Sequence, residues 1–195
     1  MKSETGTAPG STAGPARTVA PPRVLIRLVA VLTFAAATAV GARISVPLPG
    51  TAVPFTLQVV AVLLAGLVLG PRLGAASQAL YVGAGAAGLP VFAAGGGAAY
   101  LLGPTGGYLI AYPAAAAVAG YVAGASFRSV RLAIAGAVGL GVIHLGGAAW
   151  LSVTTDPGTA IHAGVLPFLP GDLLKVALVA LLAGRLGAPT RRRLT

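Results

Sequence analysis

The segment PFLPGDLLKVALVALLAG places Asp172 and Lys175 three residues apart. On a helix that spacing puts an acid and an amine on one face, about one turn from each other. Both stand at the head of an otherwise apolar run, where an isolated charge costs about 2.5 to 3.5 kcal/mol on insertion scales. The pair can close on itself as a salt bridge, with Asp172 near the positive end of the helix dipole. It can also form the polar floor of a pocket, Asp172 accepting from ligand N–H groups and Lys175 donating to a carbonyl or carboxylate.

A second candidate is VFAAGGGAAYLLGPTGGY, residues Val91 to Tyr108. Gly95, Gly96 and Gly97 permit close backbone approach, and Tyr100 and Tyr108 offer flat faces with hydroxyl groups. The combination suits a lid over a ligand, and equally a loop that carries none. It is no phosphate loop, because no Gly-Lys-Ser/Thr follows and the chain has no Walker motif. Gln58, Gln78 and His144 interrupt apolar segments, so interhelical hydrogen bonding is the first role for each, with ligand contact the second. Ser152, His144 and Asp156 could be drawn as a hydrolase, but no Gly-x-Ser-x-Gly elbow exists. Two His, three acidic residues and no Cys, scattered without ligand spacing, leave no metal site or thiolate chemistry to expect.

The elements that must position these residues follow from composition. Of 195 residues, 56% are apolar and 8% charged, with mean hydropathy +0.91, against roughly a quarter charged in a soluble domain. That excludes a soluble enzyme and predicts an integral membrane protein. The net charge of +10 falls in short clusters. Uncharged intervals of 15, 28, 55 and 24 residues follow Arg27, Arg43, Arg72 and Arg131, the lengths expected between membrane crossings of about 20 residues. The basic residues therefore mark topology, and nucleic-acid binding is rejected.

Six helices are expected, near residues 24–42, 54–70, 73–89, 107–124, 130–151 and 170–186. Residues 1–22 read as a disordered tail of Ser, Thr, Gly, Pro and Ala, residues 23–188 as the membrane domain, and 189–195 as a second, basic tail. ARISVPLPGTAVPF, residues 42–55, is an ordered loop or cap, and Pro54 suits the first turn of the second helix. TTDPGT reads as a turn. With six spans, Lys2, Arg17, Arg23, Arg27, Arg72, Arg128, Arg131, Arg185 and Arg191 to Arg193 share one side, and only Arg43 lies on the other. An excess of eleven to one puts both termini in the cytoplasm. Asp156, His162 and the glycine-rich loop then face outward. Small-residue stripes at Ala35/Ala39, Gly66/Gly70 and Gly120/Gly124 allow close helix packing.

Taken together and in order, VPFTLQVVAVLLAGLVLGPRLGA, LYVGAGAAGLPVFAAGGG, LLGPTGGYLIAY and PFLPGDLLKVALVALLA resemble the BioY family of biotin transporters over about residues 25–187. The resemblance implies an all-α, six-helix S component of an energy-coupling factor transporter, in a bacterial cell membrane. Such a component is no enzyme. It captures biotin from outside and delivers it with a transmembrane T component and two cytoplasmic ATPases, so that this chain needs neither cofactor nor nucleotide site. Another small vitamin is the alternative substrate, and homo-oligomerisation stays open.

By the same resemblance Asp172 and Lys175 are the substrate contacts at the start of the last helix, and Gly95, Gly96, Gly97 and Tyr100 belong to the substrate loop. Where some members carry an amide after LPVF, this chain has Ala93 and Ala94. Gln58, His144 and Arg43 are further candidate contacts. Ala35 and Ala39 are the nearest match to the Ala-x-x-x-Ala pattern that packs on the T component. A ureido ring with two N–H donors and a carbonyl, an apolar thiophane and a valerate carboxylate would be complemented by one acid, one amine and apolar walls.

Overall fold

A computed structural model describes residues 22–194, apart from the side chain of Arg193. The expected N-terminal tail, with Lys2 and Arg17, lies outside the described residues apart from Pro22. Six long helices dominate: α1 (Arg23–Arg43), α2 (Gln58–Leu69), α3 (Pro71–Ala86), α5 (Gly106–Ala123), α6 (Ser129–Thr154) and α8 (Leu169–Leu194). Two short ones, α4 (Ala98–Leu101) and α7 (Pro157–Gly164), lie in the connections. Among the described residues, four helical stretches are long and apolar enough to cross a membrane: α1, α5, α6 and the run through α7 and α8.

Helix α2 is apolar but shorter than these four. Its 12 residues rise only about 18 Å, short of the ~30 Å hydrocarbon core. Nine of the 12 are buried, so this helix is solvated by protein instead of lipid, which is where a helix apolar on every face belongs. It sits against α1, α3, α5 and α8. Glycine permits these approaches. A Cβ on Gly66 would stand 2.1 Å from the Ala116 carbonyl oxygen, and one on Gly120 2.7 Å from the Gly66 oxygen. The second member of each expected stripe does something else: Gly70 and Gly124 are helix C-caps at φ +86° and +56°. Between α5 and α6, Gly107 meets Trp150 and Gly147 meets the Tyr108 ring.

Several boundaries differ from expectation, each for a local reason. Pro54 does not open the second helix. Residues Phe55–Thr56 form strand β2, antiparallel to β1 (Ser45–Val46), with Ser45 opposite Thr56 and Val46 opposite Phe55. The helix begins after this hairpin, at Gln58, whose side chain accepts from the Thr56 hydroxyl at 3.0 Å. TTDPGT is a helix start as well as a turn: Asp156 caps α7, accepting from the Thr159 N–H at 3.0 Å, and Pro157 occupies the first turn. Hydrogen bonds from Thr159, side chain first and backbone second, hold the Asp156 carboxyl below the usual range.

The last helix does not stop near Leu186 but runs through Pro189 to Leu194, so the expected 189–195 tail is helical over its described part. Arg191 supplies the reason. Its guanidinium donates to the carbonyls of Leu67 (2.9 Å) and Val68 (3.4 Å) at the end of α2, and to Gly124 after α5. Carbonyls at helix C-termini lack intrahelical partners and carry partial negative charge, so the arginine draws the end of α8 onto two neighbouring helix ends.

Candidate functional site

Asp172 lies in the first turn of α8 and Lys175 one turn on, 2% and 4% exposed. Charges so buried require compensation. Lys175 Nζ stands 2.9 Å from Asp172 Oδ1, and His144 Nε2 on α6 stands 2.7 Å from Asp172 Oδ2. The Lys175 ammonium also lies over the Phe55 ring, 3.6 Å from its centroid, a cation–π contact that the β1–β2 hairpin supplies. The acid is thus held between an amine on its own helix and an imidazole across the α6–α8 interface.

The compensation is incomplete. The ammonium touches Oδ1 as a charge, without the directionality of a hydrogen bond, and His144 Nδ1 has no partner. These are the two buried side-chain polar atoms among the described residues that lack one. Natural interiors leave few such atoms unsatisfied without a reason. Here Asp172, His144 and Lys175 line a cavity that opens to the surface.

The rest of the cavity is amphipathic. Tyr100, Tyr108, Tyr112 and Phe168 give it aromatic walls, with Leu140 and Ile143 between them, while Thr56 and Gln58 add polar groups. Gln58 is already engaged, accepting from Thr56 and donating to the Tyr81 hydroxyl. Tyr108 donates to the Gly164 carbonyl at 2.7 Å, so its hydroxyl positions α7 while its ring faces the cavity. A second hollow shares Val53, Pro54, Ala93, Tyr100 and Thr105 with the first and is lined by no charged residue. It forms a vestibule.

Of the residues singled out from sequence, Asp172, Lys175, His144, Gln58 and Tyr100 meet in one cavity. Gly95, Gly96 and Gly97 do not line it. They build the loop that presents Tyr100 and Ala93: Gly97 donates to Gly85 at 2.7 Å, and a Cβ on Gly96 would stand 2.1 Å from the Leu89 carbonyl oxygen. Phe92, fully buried, packs edge-on to Tyr81 and at 5.0 Å from Tyr100, so this is an anchored loop. Arg43 lies outside the lining as well and donates to the Pro90 carbonyl, tying α1 to the loop. Ala35 is turned into the core and Ala39 packs partly against it, because the inner face of α1 also carries Thr38, whose hydroxyl meets Gln78 at 3.1 Å. The exposed small residues of α1 are Thr33, Ala36 and Ala37.

Ser152, His144 and Asp156 are not brought together, since Ser152 donates to the Ala149 carbonyl, His144 faces Asp172 and Asp156 caps α7. No group of three or more His, Cys, Asp or Glu side chains that could hold a metal occurs among the described residues. Thr56, Tyr112 and Phe168 are cavity residues that sequence reasoning passed over, as it did Phe55 under the Lys175 ammonium. Tyr112 was within reach, being one helical turn after Tyr108, and Phe168 stands four residues before Asp172.

An all-helical membrane protein with a buried, partly unsatisfied ion pair at the floor of an aromatic-walled cavity falls in the class of membrane-embedded solute-binding proteins. The BioY family model matches residues 14–192. This chain belongs to the BioY family, and is accordingly a transport component and not an enzyme. It is 47% identical over 161 residues to a probable biotin transporter BioY of Pyrococcus horikoshii, covering 82% of this chain and 95% of the relative. It is 44% identical to a biotin transporter BioY of Thermotoga maritima, over 78% and 90% of the two chains. The structure is similar to the crystal structure of the S-component for biotin from an ECF-type ABC transporter, with TM-score 0.79, 27% identity, and coverage of 87% of this chain and 94% of the other.

Proposed function

We propose that this chain is the biotin-binding S component of an energy-coupling factor transporter, taking biotin from outside the cell into the cavity floored by Asp172 and Lys175. The observation that carries the reading is the buried Asp172–Lys175 pair lining an aromatic-walled cavity, with His144 Nδ1 left without a hydrogen-bond partner beside it. A ureido ring offers N–H donors to the acid and a carbonyl to the amine, while the tyrosine and phenylalanine walls take the apolar thiophane. Gln58 and Thr56 border the same space. Gly95, Gly96, Gly97 and Arg43 act one step back, by holding the loop that presents Tyr100.

Six spans with both termini cytoplasmic are part of this proposal, supported by six principal helices, four of them long and apolar enough to cross, and by the eleven-to-one distribution of Lys and Arg. The cavity then opens outward, and the arginine-rich end faces the cytoplasm of a bacterial cell. Delivery falls to a T component and two ATPases, which hold the nucleotide sites. On the outer face of α1, Thr33, Ala36 and Ala37 permit the close helix contact such a partner needs, within a stripe that includes Leu25, Leu28, Val29, Leu32 and Val40.

Equilibrium binding of labelled biotin to the purified full chain in detergent tests the proposal. Saturable binding at one site is expected, displaced by unlabelled biotin and not by equal thiamine or riboflavin. Asp172→Asn should weaken it about 10- to 100-fold, as expected for losing a hydrogen bond to a charged group. Absence of saturable binding, or equal displacement by another vitamin, would overturn it.

A further inference from the structure

At the end of the bundle opposite the cavity, three arginines from three helices surround a hollow: Arg27 of α1, Arg72 near the start of α3 and Arg191 of α8, with Leu69, Leu73 and Leu194. Arg191 is committed to helix-end carbonyls and contributes charge. Arg27 donates from Nε to the Leu194 carbonyl at 2.9 Å, and its two terminal amino groups make no hydrogen bond among the described residues. Arg72 makes no hydrogen bond or ion pair among them. Asp156 and Asp172 are the only described acidic residues, and both lie towards the cavity end. Arg27 and Arg72 therefore bring positive charge to this hollow that no described acid pairs with.

A largely apolar groove adjoins this hollow at the shared residue Leu194. It runs between α1 and α8, lined by Ile26, Val29 and Ala30 on one side and Leu186 and Pro189 on the other. An acidic protein segment would satisfy the arginines but leave this groove unexplained. A free phosphate would do the same. A molecule with a negative headgroup joined to a hydrocarbon chain matches both halves, and basic hollows between membrane helices are known to suit anionic lipid headgroups.

We propose that this hollow and groove form a binding site for an anionic glycerophospholipid, its phosphate between Arg27 and Arg72 and an acyl chain along α1 and α8. The lipid bridges the first and last helices at the end where α8 is pinned by Arg191.

The test uses the full chain in nanodiscs of equal phosphatidylglycerol and phosphatidylcholine, followed by detergent exchange and native mass spectrometry of retained lipid. Phosphatidylglycerol should be retained over phosphatidylcholine. Each exposed arginine contributes about fivefold to that preference, so Arg72→Gln should reduce it about fivefold and Arg27→Gln with Arg72→Gln roughly 25-fold. Arg72→Lys should retain most of it. Ala30→Trp, which fills the groove and spares the arginines, should also release the lipid, while glycerol 3-phosphate at equal concentration should not displace it. An unchanged preference in the double variant would overturn the site, and so would displacement by glycerol 3-phosphate. Loss of binding to partner subunits in the double variant, with lipid retention unchanged, would assign the arginines to a protein contact and overturn it too.

Discussion

At the cavity end, one acid sits between an amine at 2.9 Å and an imidazole at 2.7 Å, and all three side chains face a hollow. At the opposite end Arg191 donates to backbone oxygens, those of Leu67, Val68 and Gly124, and lies over the Phe127 ring. Both arrangements keep charge within a largely apolar molecule, but by different physics. Backbone carbonyls at helix ends are fixed acceptors, and an arginine on them completes the fold without leaving anything for a ligand. The Asp172–Lys175–His144 group instead closes its charges while leaving hydrogen-bonding capacity unused. One is a fastening, and the other, on the proposed function, a receptor. Burial alone distinguishes neither; the difference lies in whether the polar atoms are satisfied.

The largest break in this comparison should come from Asp172→Ala. It leaves Lys175 buried without its partner, a situation that costs about 3 to 5 kcal/mol. The thermal melting temperature in detergent should fall sharply and biotin binding should vanish. Replacing both members, Asp172→Ala with Lys175→Met, should restore most of the melting temperature and none of the binding. Recovery of binding in that double variant would show that the pair is structural only.

A smaller effect, of about 1 to 3 kcal/mol, is expected from Gly147→Ala, because the new Cβ would stand 2.1 Å from the Tyr108 ring. Since that ring also lines the cavity, stability and affinity should fall together, read by melting and titration calorimetry.

At the other end the two should separate. Arg191→Ala removes three carbonyl contacts and should lower stability by about 1 to 3 kcal/mol, with increased hydrogen exchange in the last turns of α2 and α8. Biotin affinity should stay within about twofold, since distant sites without shared partners act nearly independently. A large loss of affinity would show that the ends are coupled.

The smallest effect belongs to Asp156, which caps α7 in the open. Its folded carboxyl titrates below the unfolded one. The stabilisation is therefore complete above the unfolded value, near 3.9, and is lost as pH falls through the lower folded value. Asp156→Ala should raise hydrogen exchange in α7 alone at neutral pH, and acidification should remove the difference between variant and parent.

The helices were legible in the sequence because hydropathy, the proline and glycine breaks and the spacing of arginines are local signals. Helix starts were less so: Pro54 satisfies the rules for a first turn, yet pairing of Phe55–Thr56 with Ser45–Val46 takes that segment into a hairpin. The end of α8 was hidden for a related reason, because Pro189 and three consecutive arginines read as a stop until carbonyls from other helices become available to them.

For the site, residue type and spacing by themselves determined that Asp172 and Lys175 share one helix face and that charges there demand a partner. Only the tertiary structure decided that His144 completes the group, that Thr56, Tyr112 and Phe168 join the wall, and that Gly95 to Gly97 support the loop from behind. Nearly every face of these helices is apolar, so the sequence carries little periodic signal to fix how each is rotated about its axis. That rotation is set by where glycine lets two backbones meet, and it is the rotation that chooses which side chains share the cavity.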